Sequence, residues 1–255
     1  AHTLEDYRDE IIEKIKMAAT ARIGAIGLRQ GNSTPADGGS SGSVAKDAAL
    51  DSSVLEDSLV VIGASTGGTE AIKEILLQLP AVMPGILITQ HIPSVFSAHF
   101  AERLNSLCAL KVCEARQGQR IEPGHVYIAP GDRHLGIAHK TGGYSCALDD
   151  GPPVNRHTPS VDVLFRSAVN STGANTIGIL LTGMGMDGAR GLKELQESGA
   201  RTIVQDENTS VVWGMPGAAV ELGAADDVLP LGRIADRLMI LLQEAGPVQK
   251  RVARK

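Results

Sequence analysis

The chain has 255 residues, with 24 Lys and Arg against 29 Asp and Glu; a net charge of -5 excludes a generally basic protein that coats nucleic acid. At 43% hydrophobic and 21% charged, it is too apolar for disorder and long enough to bury a sizeable core. Aromatic residues make up only 3%, so the core must rest on Ala, Val, Ile, Leu and Gly, and stacking platforms for single-stranded nucleic acid are not expected.

In chain order, Leu4, Tyr7, Ile11, Ile15 and Ala18 recur in steps of three and four, which predicts an amphipathic helix within residues 1–30, a linker helix. Residues 31–57 then turn rich in Gly, Ser, Asn and Asp and read as a flexible linker. The folded body is expected over residues 58–246, followed by a basic tail at 247–255. No apolar run approaches the about 20 residues of a membrane helix, and the Ala-His-Thr-Leu-Glu-Asp start lacks the features of a signal peptide. The expectation is a cytoplasmic protein without membrane insertion. Cys108, Cys113 and Cys146 are odd in number and scattered, so reduced thiols are expected, with no zinc or redox pair.

From residue 58 on, β-branched runs alternate with helical patterns. Strands are predicted at Leu59–Ala64, Gly85–Gln90, Val126–Ala129, Thr176–Thr182 and Arg201–Gln205. Helices are predicted at Thr69–Leu79, Phe96–Leu107, Ser160–Asn170, Ala189–Ser198, Pro216–Leu222 and Leu231–Glu244. This alternation predicts an α/β fold: a doubly wound, mainly parallel sheet flanked by helices. Residues Leu135–Leu148, centred on Thr141-Gly142-Gly143, add an antiparallel hairpin near one end.

Ligands of such sheets bind beyond the carboxyl ends of the strands. The first strand runs into Gly63-Ala64-Ser65-Thr66-Gly67, a G-x-S-x-G turn that leads into a helix and would expose the Ser65 hydroxyl. The second strand ends at His91, and the strand at Thr176–Thr182 leads to Asp187 on a glycine-rich loop. Together these are the parts of an acyl-transfer triad: a hydroxyl to attack, an imidazole to take its proton and a carboxylate to orient the imidazole. Taken singly each has a plainer reading, as a helix cap or phosphate turn, a loop histidine and a turn aspartate. A rival reading stands beside the triad. Gly183, Gly185 and Gly188 fit G-x-G-x-x-G after a strand and before a helix, with Asp206 at the end of the next strand, most of the fingerprint of a dinucleotide-binding oxidoreductase. From the residues alone both readings stand.

Five blocks, Val60–Gly68, Gln90–Pro93, Ile128–His134, Pro159–Phe165 and Leu181–Gly188, together resemble the catalytic domain of the CheB family of chemotaxis receptor methylesterases. The likeness runs from about Val60 to about Glu244. It implies a serine hydrolase that removes methyl groups from glutamyl γ-methyl esters of chemoreceptors in chemotactic adaptation and deamidates receptor glutamines. Ser65 would be the nucleophile, His91 the general base and Asp187 its orienting carboxylate, with Thr66 and Met184 at the oxyanion site. No cofactor and no metal are implied. The implied partners are methylated transmembrane chemoreceptors, met on their cytoplasmic helices. The resemblance demotes the dinucleotide reading, because the glycines would then shape a loop presenting Asp187. The intact triad likewise argues against a catalytically idle receptor-binding module. The family's receiver domain has no counterpart among these residues, so control by a receiver domain or histidine kinase is expected only if the chain is a fragment of a longer one.

Overall fold

The computed structural model describes residues 50–245. Seven strands form one all-parallel sheet: β1 (Leu59–Ala64), β2 (Gly85–Gln90), β3 (Lys111–Glu114), β4 (His125–Ile128), β7 (Thr176–Leu180), β8 (Arg201–Gln205) and β9 (Asp227–Leu229), in the spatial order β3-β4-β2-β1-β7-β8-β9. Every residue of β1, β2 and β7 is buried, as expected of central parallel strands covered on both faces. Alternate side chains feed two cores. Val60 and Ile62 point to one, with Ile72 and Ile75 of α2 (Gly68–Leu76), Leu104 of α3 (Ser94–Leu107) and Leu238 of α7 (Leu231–Glu244). Leu59 and Val61 point to the other, with Leu164 and Phe165 of α4 (Val161–Ser171), Leu192 of α5 (Ala189–Glu197) and Ala219 of α6 (Met215–Glu221).

The predicted hairpin is β5 (His134–Lys140) paired antiparallel with β6 (Gly143–Asp149); it packs its Leu135 and Ile137 into the second core. The doubly wound α/β architecture and the hairpin are therefore as expected, and most element bounds agree within a few residues. Two strands escaped the reading. β3 and β9 are edge strands of four and three residues, each beginning on a charged residue and too short to show a period.

The predicted linker needs a correction at its end. Residues Ser52–Asp57 form a short helix, α1, whose N-cap Asp51 accepts a hydrogen bond from the Ser53 N–H. Its Val54 is buried in the first core, with Leu50 packed against it. The packed body thus includes residues 50–57, ahead of the expected start at 58, because Val54 and Leu50 in a polar stretch pack into the first core. The predicted helix in 1–30, the linker over 31–49 and the basic tail lie outside the described residues. Among the described residues no helix is long and apolar enough to cross a membrane.

Candidate active site

β1, β2 and β7 are neighbours at the centre of the sheet, where the chain's winding reverses around β1. Their carboxyl ends deliver Ser65, His91 and the loop carrying Asp187 to one rim, the location the fold favours for a site. The backbone binds them together: Ser65 N–H donates to the Thr182 carbonyl at 3.0 Å and His91 N–H to the Ala64 carbonyl at 3.1 Å. The side-chain amide of buried Gln90 donates to the carbonyls of both Ser65 and His91, each at 3.0 Å. The Ser65 turn and His91 are thus clamped by one side chain.

The turn differs from a simple glycine-flanked elbow. Gly67 has φ +81 and caps α2, so Ser65 is not that helix's cap residue. Gly63, still within β1, serves a different end: a Cβ there would lie 2.1 Å from Val161 Cγ1. Gly188 (φ +88) makes the same room, 2.5 Å from that methyl. Both glycines admit the N-terminus of α4, and that N-terminus holds Asp187.

Asp187 is 1% exposed and receives hydrogen bonds from His91 Nε2 at 2.9 Å, Asn155 Nδ2 at 2.7 Å, Ser160 Oγ at 2.7 Å, and the Val161 and Asp162 N–H groups at 2.7 and 3.3 Å. Burial pushes its pKa up, but the hydrogen bonds from His91, Asn155, Val161 and Ser160 prevail and hold it at about 2. The free N–H groups of a helix start suit a carboxylate. An ionised carboxylate only accepts, so His91 Nε2 carries the proton of that bond and the neutral ring keeps its lone pair on Nδ1. Among the described residues that Nδ1 is buried without a hydrogen-bond partner. It is the one ring nitrogen able to take a proton.

Ser65 is half-buried. Thr66 follows it with an exposed side chain, its carbonyl held by Thr182 Oγ1 at 2.9 Å. The Gly183 backbone passes so close that a Cβ there would lie 2.7 Å from Ser65 Cβ, which brings Met184 alongside from the second loop. Neither the Thr66 nor the Met184 N–H donates to a carbonyl of the described residues.

All five residues singled out from the sequence therefore lie on one rim. Gln90, Asn155, His157, Ser160 and Asp162 also build the site but were given no role from the sequence. Asn155 and His157 lie in a turn without glycine or proline at its centre, and nothing in the sequence linked them to strand ends far away in the chain. The dinucleotide reading finds no support. Asp206 is folded into its own turn, accepting from the Thr209 N–H at 3.0 Å and the Thr209 hydroxyl at 2.6 Å, and Gly188 faces a helix in place of a pyrophosphate. Among the described residues no group of three or more His, Cys, Asp or Glu could hold a metal ion.

A parallel α/β sheet with a Ser, His and ionised Asp gathered at its central strand ends defines a protein of the hydrolase class. Residues 60–238 match the CheB methylesterase family. A Hydrogenovibrio crunogenus protein named protein-glutamate methylesterase/protein-glutamine glutaminase is 51% identical over 95% of this chain and 70% of its own length. A Xanthomonas oryzae pv. oryzae protein of like name is 50% identical over 96% of this chain and 68% of its own. The crystal structure of the Thermotoga maritima CheB methylesterase catalytic domain superposes with a TM-score of 0.71 at 40% identity, covering 72% of this chain and 98% of that one. The chain belongs to the CheB methylesterase family.

Proposed function

We infer that this chain is a protein-glutamate methylesterase and protein-glutamine glutaminase whose catalytic group is Ser65, His91 and Asp187. The observation that carries the assignment of roles is the orientation of His91: Nε2–H bound to Asp187 and Nδ1 left unpartnered on the rim that bears Ser65. The Ser65 oxygen attacks the γ-carbonyl of a glutamyl methyl ester while His91 Nδ1 takes its proton. The resulting oxyanion is met by the N–H groups of Thr66 and Met184. Collapse expels methanol, which leaves with the proton from His91. Water then attacks the acyl-enzyme, giving one proton to His91, which returns it to Ser65 as the glutamyl carboxylic acid departs and loses its remaining proton to solvent. A glutamine side chain follows the same route, with His91 protonating the amide nitrogen so that it leaves as ammonia.

The substrates are methylated chemoreceptors, reached on their cytoplasmic helices, and the enzyme acts in the cytoplasm in chemotactic adaptation. The described residues require no cofactor for these steps. The test is methanol release from methylated receptor, comparing the chain with its Ser65→Ala variant. A near-normal rate in that variant sinks the assignment.

A further inference from the structure

Residues Val154 to His157 form a two-residue hairpin turn, the Val154 and His157 backbones exchanging hydrogen bonds at 3.1 and 2.9 Å. Its central residues, Asn155 (φ 51) and Arg156 (φ 67), both hold left-handed backbone, a conformation in which glycine is the favoured residue. An outlier of this kind is kept where the surroundings over-determine it. Here the two sides of the turn touch the two members of the His–Asp pair. The Asn155 amide donates to Asp187 Oδ1 and to Asp162 Oδ2, each at 2.7 Å. The His157 ring stacks on the His91 ring at 3.8 Å with only 10° between their planes.

We propose that the Val154–His157 turn is a positioning element for the reaction, Asn155 fixing the Asp187 carboxylate and the flat face of His157 fixing the plane of the His91 ring. The proposal rests on the triad reading above. Among the described residues the His91 ring is hydrogen-bonded at Nε2 alone, and a ring bonded at one atom is free to tilt about that bond. The stacked ring removes that freedom, so Nδ1 keeps one direction on the rim it shares with Ser65. Misplacement of a reacting group by about 1 Å costs on the order of 10²-fold in rate.

The test uses the full chain, with kcat and KM for methanol release from methylated receptor, folding followed by thermal melts, and proton NMR of the low-field His91 Nε2–H signal. His157→Leu fills the space without a flat face. It is expected to lower kcat by about 10- to 100-fold with KM little changed and to broaden the low-field signal. His157→Phe restores a flat ring and is expected to recover most of the rate and a sharp signal. Asn155→Gly removes the amide while keeping a residue at ease with positive φ, and is expected to lower kcat, again without raising KM. A His157→Leu or Asn155→Gly protein with the parent kcat and an unchanged signal overturns the proposal. So does a His157→Phe protein as slow as His157→Leu, which would make the histidine's chemistry, not its plane, the active feature. Should His157→Leu fail to fold, Asn155→Gly and His157→Phe still decide. An inactive Ser65→Ala beside a fully active Asn155→Gly removes the positioning role alone, whereas an active Ser65→Ala removes the triad on which it rests.

Discussion

Asp187 concentrates the chemistry of the site in one buried carboxylate. Its pKa of about 2 lies below the ordinary 3.8, so its ionised form stabilises the fold above about pH 4, and that contribution is lost as pH falls through about 2. The shift corresponds to about 2 kcal/mol. Asp187→Asn turns an amide hydrogen toward donors whichever way it is placed, since each oxygen accepts at least two bonds. It is expected to cost about 1–3 kcal/mol at neutral pH, with the gap to the parent narrowing between about pH 4 and 2 in denaturant titrations. Its turnover should drop about 10⁴-fold, because the imidazole loses both its tautomer preference and its charge support. Ser65→Ala and His91→Ala should each lower turnover by about 10⁴- to 10⁶-fold in a folded protein, the members of such a group acting as a unit; steady-state kinetics and thermal melts check both.

At the scale of elements, the site depends on how closely α4 approaches β1. Val161 presses its side chain into the space left by Gly63 and Gly188 while its N–H holds Asp187. Gly63→Ala puts a methyl group where Val161 Cγ1 lies, so α4 must withdraw. It is expected to destabilise the protein by about 1–3 kcal/mol and to lower kcat as Asp187 loses its donors. Adding Val161→Ala should recover part of both losses, a coupling that a double-mutant cycle measures. The glycine loop after β7 yields a contrasting expectation. Asp206 serves its own turn, so Asp206→Ala should leave ester hydrolysis nearly unchanged, and calorimetry should find no NAD or NADP binding at millimolar concentration. A micromolar nucleotide complex would contradict this account of the loop.

For the molecule as a whole, every proposed catalytic residue lies after residue 58, but the folded body starts earlier. Removing residues 1–49 should preserve most activity on a soluble ester substrate. Removing 1–57 also strips Val54, which is 3% exposed, and should lower stability by about 1.5–3 kcal/mol from that side chain alone. Melting temperatures of the two truncated proteins separate these outcomes. A folded 50–255 protein without activity would show that the earlier residues help to build the site.

Local pattern carried much of this protein. The apolar runs at Leu59–Ala64 and Gly85–Gln90, the alternation with helices and the Gly-Gly hairpin tip were all legible, because burial on two faces and turn chemistry act over a few residues. So was the placing of Ser65, His91 and Asp187 on one rim, since a parallel sheet sends every strand's carboxyl end to the same side and polar residues are conspicuous there. The ring orientation of His91, the hydrogen bonds from His91, Asn155, Val161 and Ser160 that keep Asp187 ionised, and the contributions of His157 and Gln90 were not legible. Each arises from contact between segments far apart in the chain, where distance and direction decide and residue type alone says nothing. Gly63 shows the division within a single residue. Its place in a G-x-S-x-G motif was read from the sequence, but that it is Gly to admit Val161 follows only from the packing of α4 against β1, a volume constraint that no local pattern encodes.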